Sequence, residues 1–436
     1  MSRIEIIVAG AGTGKTTRLA QELEDALVAG NIRPEAVVAT TFTRQAAAEL
    51  EERARTRLLA VGRPEDAQRL RAARIGTVNA VCGRLVEQFA FELGLSPDVR
   101  VIDETSATQA LREAISTVAS EAQLARLADL ETRIEQLEWS VQVARIVAAA
   151  RANGCDAAGL QLSATRSRDH ELQVLGDRAD DGAALDEGLR AAMRTLVDTI
   201  PPRASVKAAV AARNRCRSAL SQMERGDSLP WREWASLGKL QASKGYRQVA
   251  EAVHRAAQLH ETHPRLHDDI LAAIELMFEL AASTLRAYQD WKTAWGVIDF
   301  VDQETHALEL LRRPEVAERL REEIDLVMVD EFQDTSPLQL AIFLELARIA
   351  PRSVWVGDQK QSIFGFRGTD PELMTATLAL LERSDPAFVD DTLASIFEQT
   401  IPSTLEVSYR SRPELVELTS ELFAAAFGTH GMPPER

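Results

Sequence analysis

Two short stretches of the chain carry residue types that can act on a polyphosphate. Residues 8 to 17 read VAGAGTGKTT and residues 326 to 335 read LVMVDEFQDT. In the first, an apolar run ends in the turn Gly10, Ala11, Gly12, Thr13, Gly14, followed at once by Lys15, Thr16 and Thr17. Glycines let backbone curl tightly enough to aim N–H groups at an anion, and a helix opening at the lysine adds further donors. Lys15 is then placed for the β- and γ-phosphates of ATP, and the Thr16 hydroxyl for Mg2+. Ala9 stands where the usual GxxxxGK[ST] pattern begins with glycine, and is small enough for the same turn. Glycine-rich turns before helices also occur without nucleotide. The Lys-Thr pair in a strand–turn–helix setting favours the phosphate site.

In the second stretch, a β-leaning run ends in Asp330 and Glu331, with no basic residue nearby to neutralise either. A carboxylate at a strand end is usually a solvated terminus. Two together, in a chain that also carries GKT, suit a division of labour: Asp330 holds Mg2+ through water and Glu331 orients and deprotonates the attacking water. These groups lie far apart in sequence, so one site requires both to sit at strand ends of one sheet.

The elements needed for this are legible. IEIIVAG and VVATTF (residues 37 to 42) read as buried strands, and Leu19, Leu23 and Leu27 mark one face of a helix that Gly30 ends. Arg44 to Leu59 reads as a second helix. Strand–helix alternation argues for an α/β fold with a parallel sheet. From about residue 105 to 290 the chain turns rich in Ala, Leu, Arg and Glu, and strand-like runs vanish, as in an all-helical insertion. Strands return with IDLVMVD, SVWVGD and the extended LEVSY at 405 to 409.

Length and composition set broad bounds. The 436 residues suffice for two to four domains, and 45% apolar with 27% charged residues is ordinary for a soluble globular protein. No run approaches the ~18 apolar residues of a membrane helix, and the opening MSRIEIIVAG is too short in apolar residues for a signal peptide. Cys82, Cys155 and Cys216 are scattered without a CxxC, which argues against disulfide frameworks and for a reducing cytoplasm. A formal charge of −16 weighs against a nucleic-acid partner, but the distribution of basic groups decides that question.

Taken together, AGAGTGKT, IGTVNAVCGRL, TFTRQAAAEL, VDEFQDTSPLQ, VGDQKQSIFGFRG and LEVSYRSRPELV resemble the motifs of superfamily 1A DNA helicases, the UvrD/Rep/PcrA group that includes RecB and AddA. The resemblance covers the two ends of the chain. It implies a RecA-like P-loop NTPase sheet in two pieces, 1–104 and 288–395, split by a helical insertion at 105–287. The start of a second RecA-like domain is implied at 396–436. It implies ATP and Mg2+ as ligands and an ATP-dependent helicase or translocase running 3′ to 5′ on single-stranded DNA or at a single-strand/duplex junction, in repair, recombination or anti-phage defence. Carried over by position, Gln361 and Arg410 contact the γ-phosphate. Phe42, Phe364 and Phe366 stack on bases with Arg367 nearby, or pack in the core. Thr41, Thr77 and Asn79 touch the DNA backbone. Stacking ignores base identity, which suits a translocating motor.

The chain departs from the pattern in several places. No glutamine motif precedes the P-loop, which leaves ATP against GTP open. Asn79 stands where histidine is frequent and Ser408 where asparagine is usual. No counterpart of motifs V and VI follows, so a longer chain or a partner subunit is expected to complete the motor. Two rivals stay open: an ATP-switched DNA-binding subunit, and a P-loop kinase for a small molecule, which leaves GDQKQSIFGFRG without a role. Arg213, Arg215, Arg217, Trp231, Arg232, Trp234, Lys239, Lys244, Tyr246 and Arg247 form a basic, aromatic stretch that reads either as a DNA contact or as a solvated face over core tryptophans. His254, His260, His263 and His267 lack a zinc-like spacing.

Overall fold

The structure, a computed structural model, describes residues 3–10, 13–226, 228–242, 244–358, 373–374, 377, 401–405, 412, 414–415, 417–418 and 421–422. Two compact units are present, one of Met1–Glu104, Ala152–Gly154 and Gly296–Arg436, the other of Thr105–Arg151 and Cys155–Trp295.

The first unit is built on strands β1 (Arg3–Ala9), β2 (Val37–Thr41), β3 (Arg74–Thr77), β4 (Arg100–Val101), β5 (Val297–Ile298), β6 (Leu326–Val329), β7 (Arg352–Gly357) and β8 (Ile401–Leu405). Six of these form one parallel sheet in the order β3-β2-β6-β7-β1-β8, while β4 and β5, which flank the helical unit in sequence, pair with each other. The central strands are nearly continuous aliphatic runs because helices cover both faces. Alternation along each strand divides the core. Ile4, Ile6, Val327, Val329 and Trp355 pack on one face with Leu85, Phe332 and Phe343. Ile7, Met328, Val354 and Val356 pack on the other with Leu19, Leu23 and Leu27, the stripe of helix Lys15–Val28. Gly30 follows at φ 73°, the left-handed conformation that glycine adopts without strain.

Of the extended segment expected at 405 to 409, residues 406–409 lie outside the described residues. Strand β8 begins at Ile401 and pairs with β1, which places residues 401–405 in the first sheet. Pro402 obscures this in the sequence. A proline, lacking an N–H, fits a strand with a neighbour on one side, and among the described residues β8 is such an edge.

Helix Phe300–Arg312 buries Glu304, whose Oε1 accepts a hydrogen bond from Gln339 Nε2 at 2.8 Å. Gln339 also closes the capping box with Ser336 at the start of helix Pro337–Ile349, directly after the acid pair. Burial pushes Glu304 from 4.5 up to about 7, against the Gln339 hydrogen bond and with a contribution from Asp299. The fold therefore binds a proton here that the unfolded chain has released. Stability falls as pH rises from about 4.5 through about 7 and levels off above. Glu304→Gln keeps the acceptor and removes the charge. Between pH 5 and 8 the stability difference between variant and wild type should move in the variant's favour by about 2 kcal/mol, read by urea unfolding. Parallel pH profiles for the two proteins would contradict this.

The second unit is helical among its described residues, with the 32-residue helix Pro264–Trp295 as its longest element. One core gathers Leu189, Met193, Trp231, Trp234 and Val253; another gathers Leu127, Leu130, Val143, Val147 and Leu280. Buried Asp269 accepts both arms of the Arg133 guanidinium at 2.9 Å and the Trp231 indole N–H at 2.8 Å, so this buried charge is fully engaged. The two tryptophans of the basic stretch are thus core residues and Tyr246 is half-buried, while Arg213 donates to the Val197 carbonyl and Arg215 to the Ser236 hydroxyl. Among the described residues no three His, Cys, Asp or Glu side chains group closely enough to hold a metal ion, and no helix is long and apolar enough to cross a membrane.

Candidate nucleotide site

Because every pairing in the main sheet is parallel, β1 and β6 end at the same edge with only β7 between them. Neighbouring strands are ~4.8 Å apart, so the two strand ends lie about 10 Å from each other, a span that two facing side chains can close. In doubly wound sheets this carboxyl-terminal edge is where ligands bind.

After β1, Thr13 turns back on Gly10, its N–H and hydroxyl both donating to the Gly10 carbonyl at 3.2 and 2.8 Å. Gly14 takes φ 86°, which a residue with a Cβ adopts only under strain, and helix Lys15–Val28 starts immediately. That helix opens with no side-chain cap and no acid in its first turn. Its first N–H groups and its dipole therefore suit an anion supplied from outside the chain.

After β6, the Asp330 N–H donates to the Thr40 carbonyl at 2.9 Å, carrying the sheet ladder one residue further. Glu331 then adopts φ 53° and ψ 45°, left-handed for a residue with a side chain, at a cost of about 1–3 kcal/mol. Its N–H donates to Asp330 Oδ1 at 3.0 Å, and Phe332 drops into the core against Trp355, with ring centroids 4.9 Å apart. The bend separates the apolar anchor from the acids.

Lys15 Nζ and Glu331 Oε2 meet at 2.9 Å, with side chains 10% and 31% exposed. The two ends of the chain thus share one cluster of an ammonium and adjacent carboxylates. Asp330 is pushed up to about 6, mainly by burial and then by the Glu331 charge, against the Glu331 N–H and Lys15. A carboxylate so placed gains from a cation. Mg2+ is commonly held by one or two carboxylates together with substrate phosphates, and this donor set of one acid beside an anion-ready helix terminus fits it.

Residues 2–379 match the UvrD/REP helicase N-terminal domain. The chain belongs to that family. It is also similar to three proteins named as ATP-dependent helicase/nuclease subunits. The one from Streptococcus sanguinis is 24% identical, over 96% of this chain and 38% of that protein. The one from Desulforudis audaxviator is 29% identical, over 84% and 35%. The one from Geobacillus kaustophilus is 25% identical, over 97% and 38%. This UvrD-family chain therefore spans little more than a third of the length of these relatives.

Other expected site residues of the UvrD-family chain are placed variously. Thr41 is 2% exposed and its hydroxyl donates to the Thr43 carbonyl; it ends β2, all five residues of which are buried. Phe42 is half-buried and Thr17 exposed. The Thr77 hydroxyl accepts from the Ala80 N–H and caps helix Val78–Gln88. Asn79, in the first turn of that helix, is half-buried, with its Oδ1 shielded from solvent and lacking a hydrogen-bond partner. Ala11, Gly12, the Thr16 side chain, Gln361, Phe364, Phe366, Arg367 and Arg410 lie outside the described residues. Gln333 escaped the sequence reading: it is 2% exposed and donates to Glu331 Oε2 at 2.7 Å. The signal was a glutamine two residues after the acid pair, in a stretch otherwise read for charge alone.

Proposed function

We propose that this chain is the ATP-hydrolysing part of a DNA helicase or translocase, moving 3′ to 5′ on single-stranded DNA. The observation that carries this is the 2.9 Å contact of Lys15 with Glu331 beside Asp330, in a chain of the UvrD family. The first turn of helix Lys15–Val28 cradles the triphosphate and Lys15 binds its terminal phosphates. Asp330, with Thr16, holds Mg2+, which when bound supplies positive charge against the phosphate oxygens. Glu331 accepts the proton of the attacking water, and Gln361 and Arg410 read the γ-phosphate. Phe42, Phe364 and Phe366 offer stacking surfaces to bases, with Arg367, Thr77 and Asn79 on the backbone. The three cysteines, all free thiols, suit a reducing cytoplasm.

Phosphate release from ATP with and without single-stranded DNA tests this reading. The expected result is Mg2+-dependent turnover that DNA raises by about tenfold or more, a change of about 1.4 kcal/mol in the barrier. Turnover indifferent to DNA would contradict it in favour of a small-molecule kinase. Nucleotide-dependent DNA binding without turnover would favour an ATP-switched binding subunit.

A further inference from the structure

Gln333 joins three parts of the site through one amide. The Asp358 N–H, just past β7, donates to Gln333 Oε1 at 2.8 Å. This fixes the amide's orientation, because only its carbonyl oxygen can face a donor. The amide nitrogen then faces Glu331 Oε2 at 2.7 Å and Asp334 Oδ2 at 3.2 Å, so both N–H groups meet carboxylates. Gly357 leaves room for this approach, since a Cβ there would crowd Gln333, standing 3.0 Å from its Oε1 and 3.2 Å from its backbone nitrogen. Glu331 Oε2 also receives Lys15. Lys15 is drawn to phosphate when a nucleotide binds, and Gln333 is then the neutral donor still holding that oxygen.

We infer that Gln333 is a positioning residue for hydrolysis: it holds Oε2 of Glu331 so that Oε1 faces the attacking water, and it ties this carboxylate to the backbone at the end of β7. The inference rests on Glu331 being the base. Misplacing a reacting group by a fraction of an ångström is costly even when every group remains present. A shift of the β7 end is thereby passed to the base through the Gln333 side chain.

Two substitutions test it. Gln333→Met keeps the length and removes the donors. kcat should fall by about 10- to 100-fold while KM for ATP stays within about threefold, since Lys15 and the glycine turn are untouched. Gln333→Glu keeps the acceptor for the Asp358 N–H and hence the fold. It sets a second oxygen against Glu331 and Asp334, with Lys15 beyond Glu331, and only its protonated form donates. Its kcat should therefore be highest at low pH and fall as pH rises, while a wild-type rate limited by a base rises with pH. A Gln333→Met kcat within about twofold of wild type, or a Gln333→Glu profile of wild-type shape, would overturn the inference. Glu331→Gln separates the two levels. If it hydrolyses ATP normally, the base assignment fails and this inference with it. If it is inactive while both Gln333 variants behave as wild type, the base stands and the positioning role is refuted.

Discussion

Glu331→Gln is expected to bind Mg·ATP within about threefold of wild type while its single-turnover hydrolysis falls by about 100- to 10,000-fold, the range for losing a positioned general base. The amide matches the carboxylate in size, and its oxygen can still accept from Lys15 and Gln333, which now meet at Glu331 Oε2 at 2.9 and 2.7 Å. What it loses is a lone pair basic enough to take a proton from water. Rapid-quench measurement of phosphate formation with a fluorescent-nucleotide titration on the same protein reads both quantities. Hydrolysis at the wild-type rate would leave Glu331 as a structural partner of Lys15 only.

Lys15→Ala acts on the other half of the site. The ammonium is nearly buried against Glu331, so its removal deletes the charge meant for the phosphates and leaves the carboxylate without it. The loss of the one ammonium aimed at the terminal phosphates should lower affinity for Mg·ATP by about 100-fold or more. Part of that loss is repulsion between the stranded carboxylate and the triphosphate. Adding Glu331→Gln to Lys15→Ala should therefore recover some of the binding, a non-additivity expected of groups in contact. Titration of a fluorescent ATP analogue measures all three variants. Strict additivity would mean that the two side chains do not share the ligand.

Most of the frame of this site could be read from residues 3–10, 15–28 and 326–331, because β-branched runs ending in glycine or acid have few folded interpretations. The central position of β7 between β1 and β6 could not be read, since strand order depends on long-range pairing that local pattern does not encode. The same limit hid β8: its neighbour is β1, at the far end of the chain, and Pro402 reads locally as a break. Thr41 came from the motif resemblance alone, and the hydrogen bond of its hydroxyl to the Thr43 carbonyl has no local signal in the sequence. Gln333 was overlooked because an uncharged amide has no signature until its partners are known. Its roles as donor to Glu331 and acceptor from Asp358 are visible only in three dimensions.

Equilibrium titration of a fluorescent ATP analogue in the presence of Mg2+, against wild type, Lys15→Ala and Glu331→Gln, bears most directly on whether the P-loop and the acid pair enclose one triphosphate. Similar affinity is predicted for wild type and Glu331→Gln, and binding weaker by about 100-fold or more for Lys15→Ala. Wild-type affinity in Lys15→Ala would contradict a shared triphosphate site.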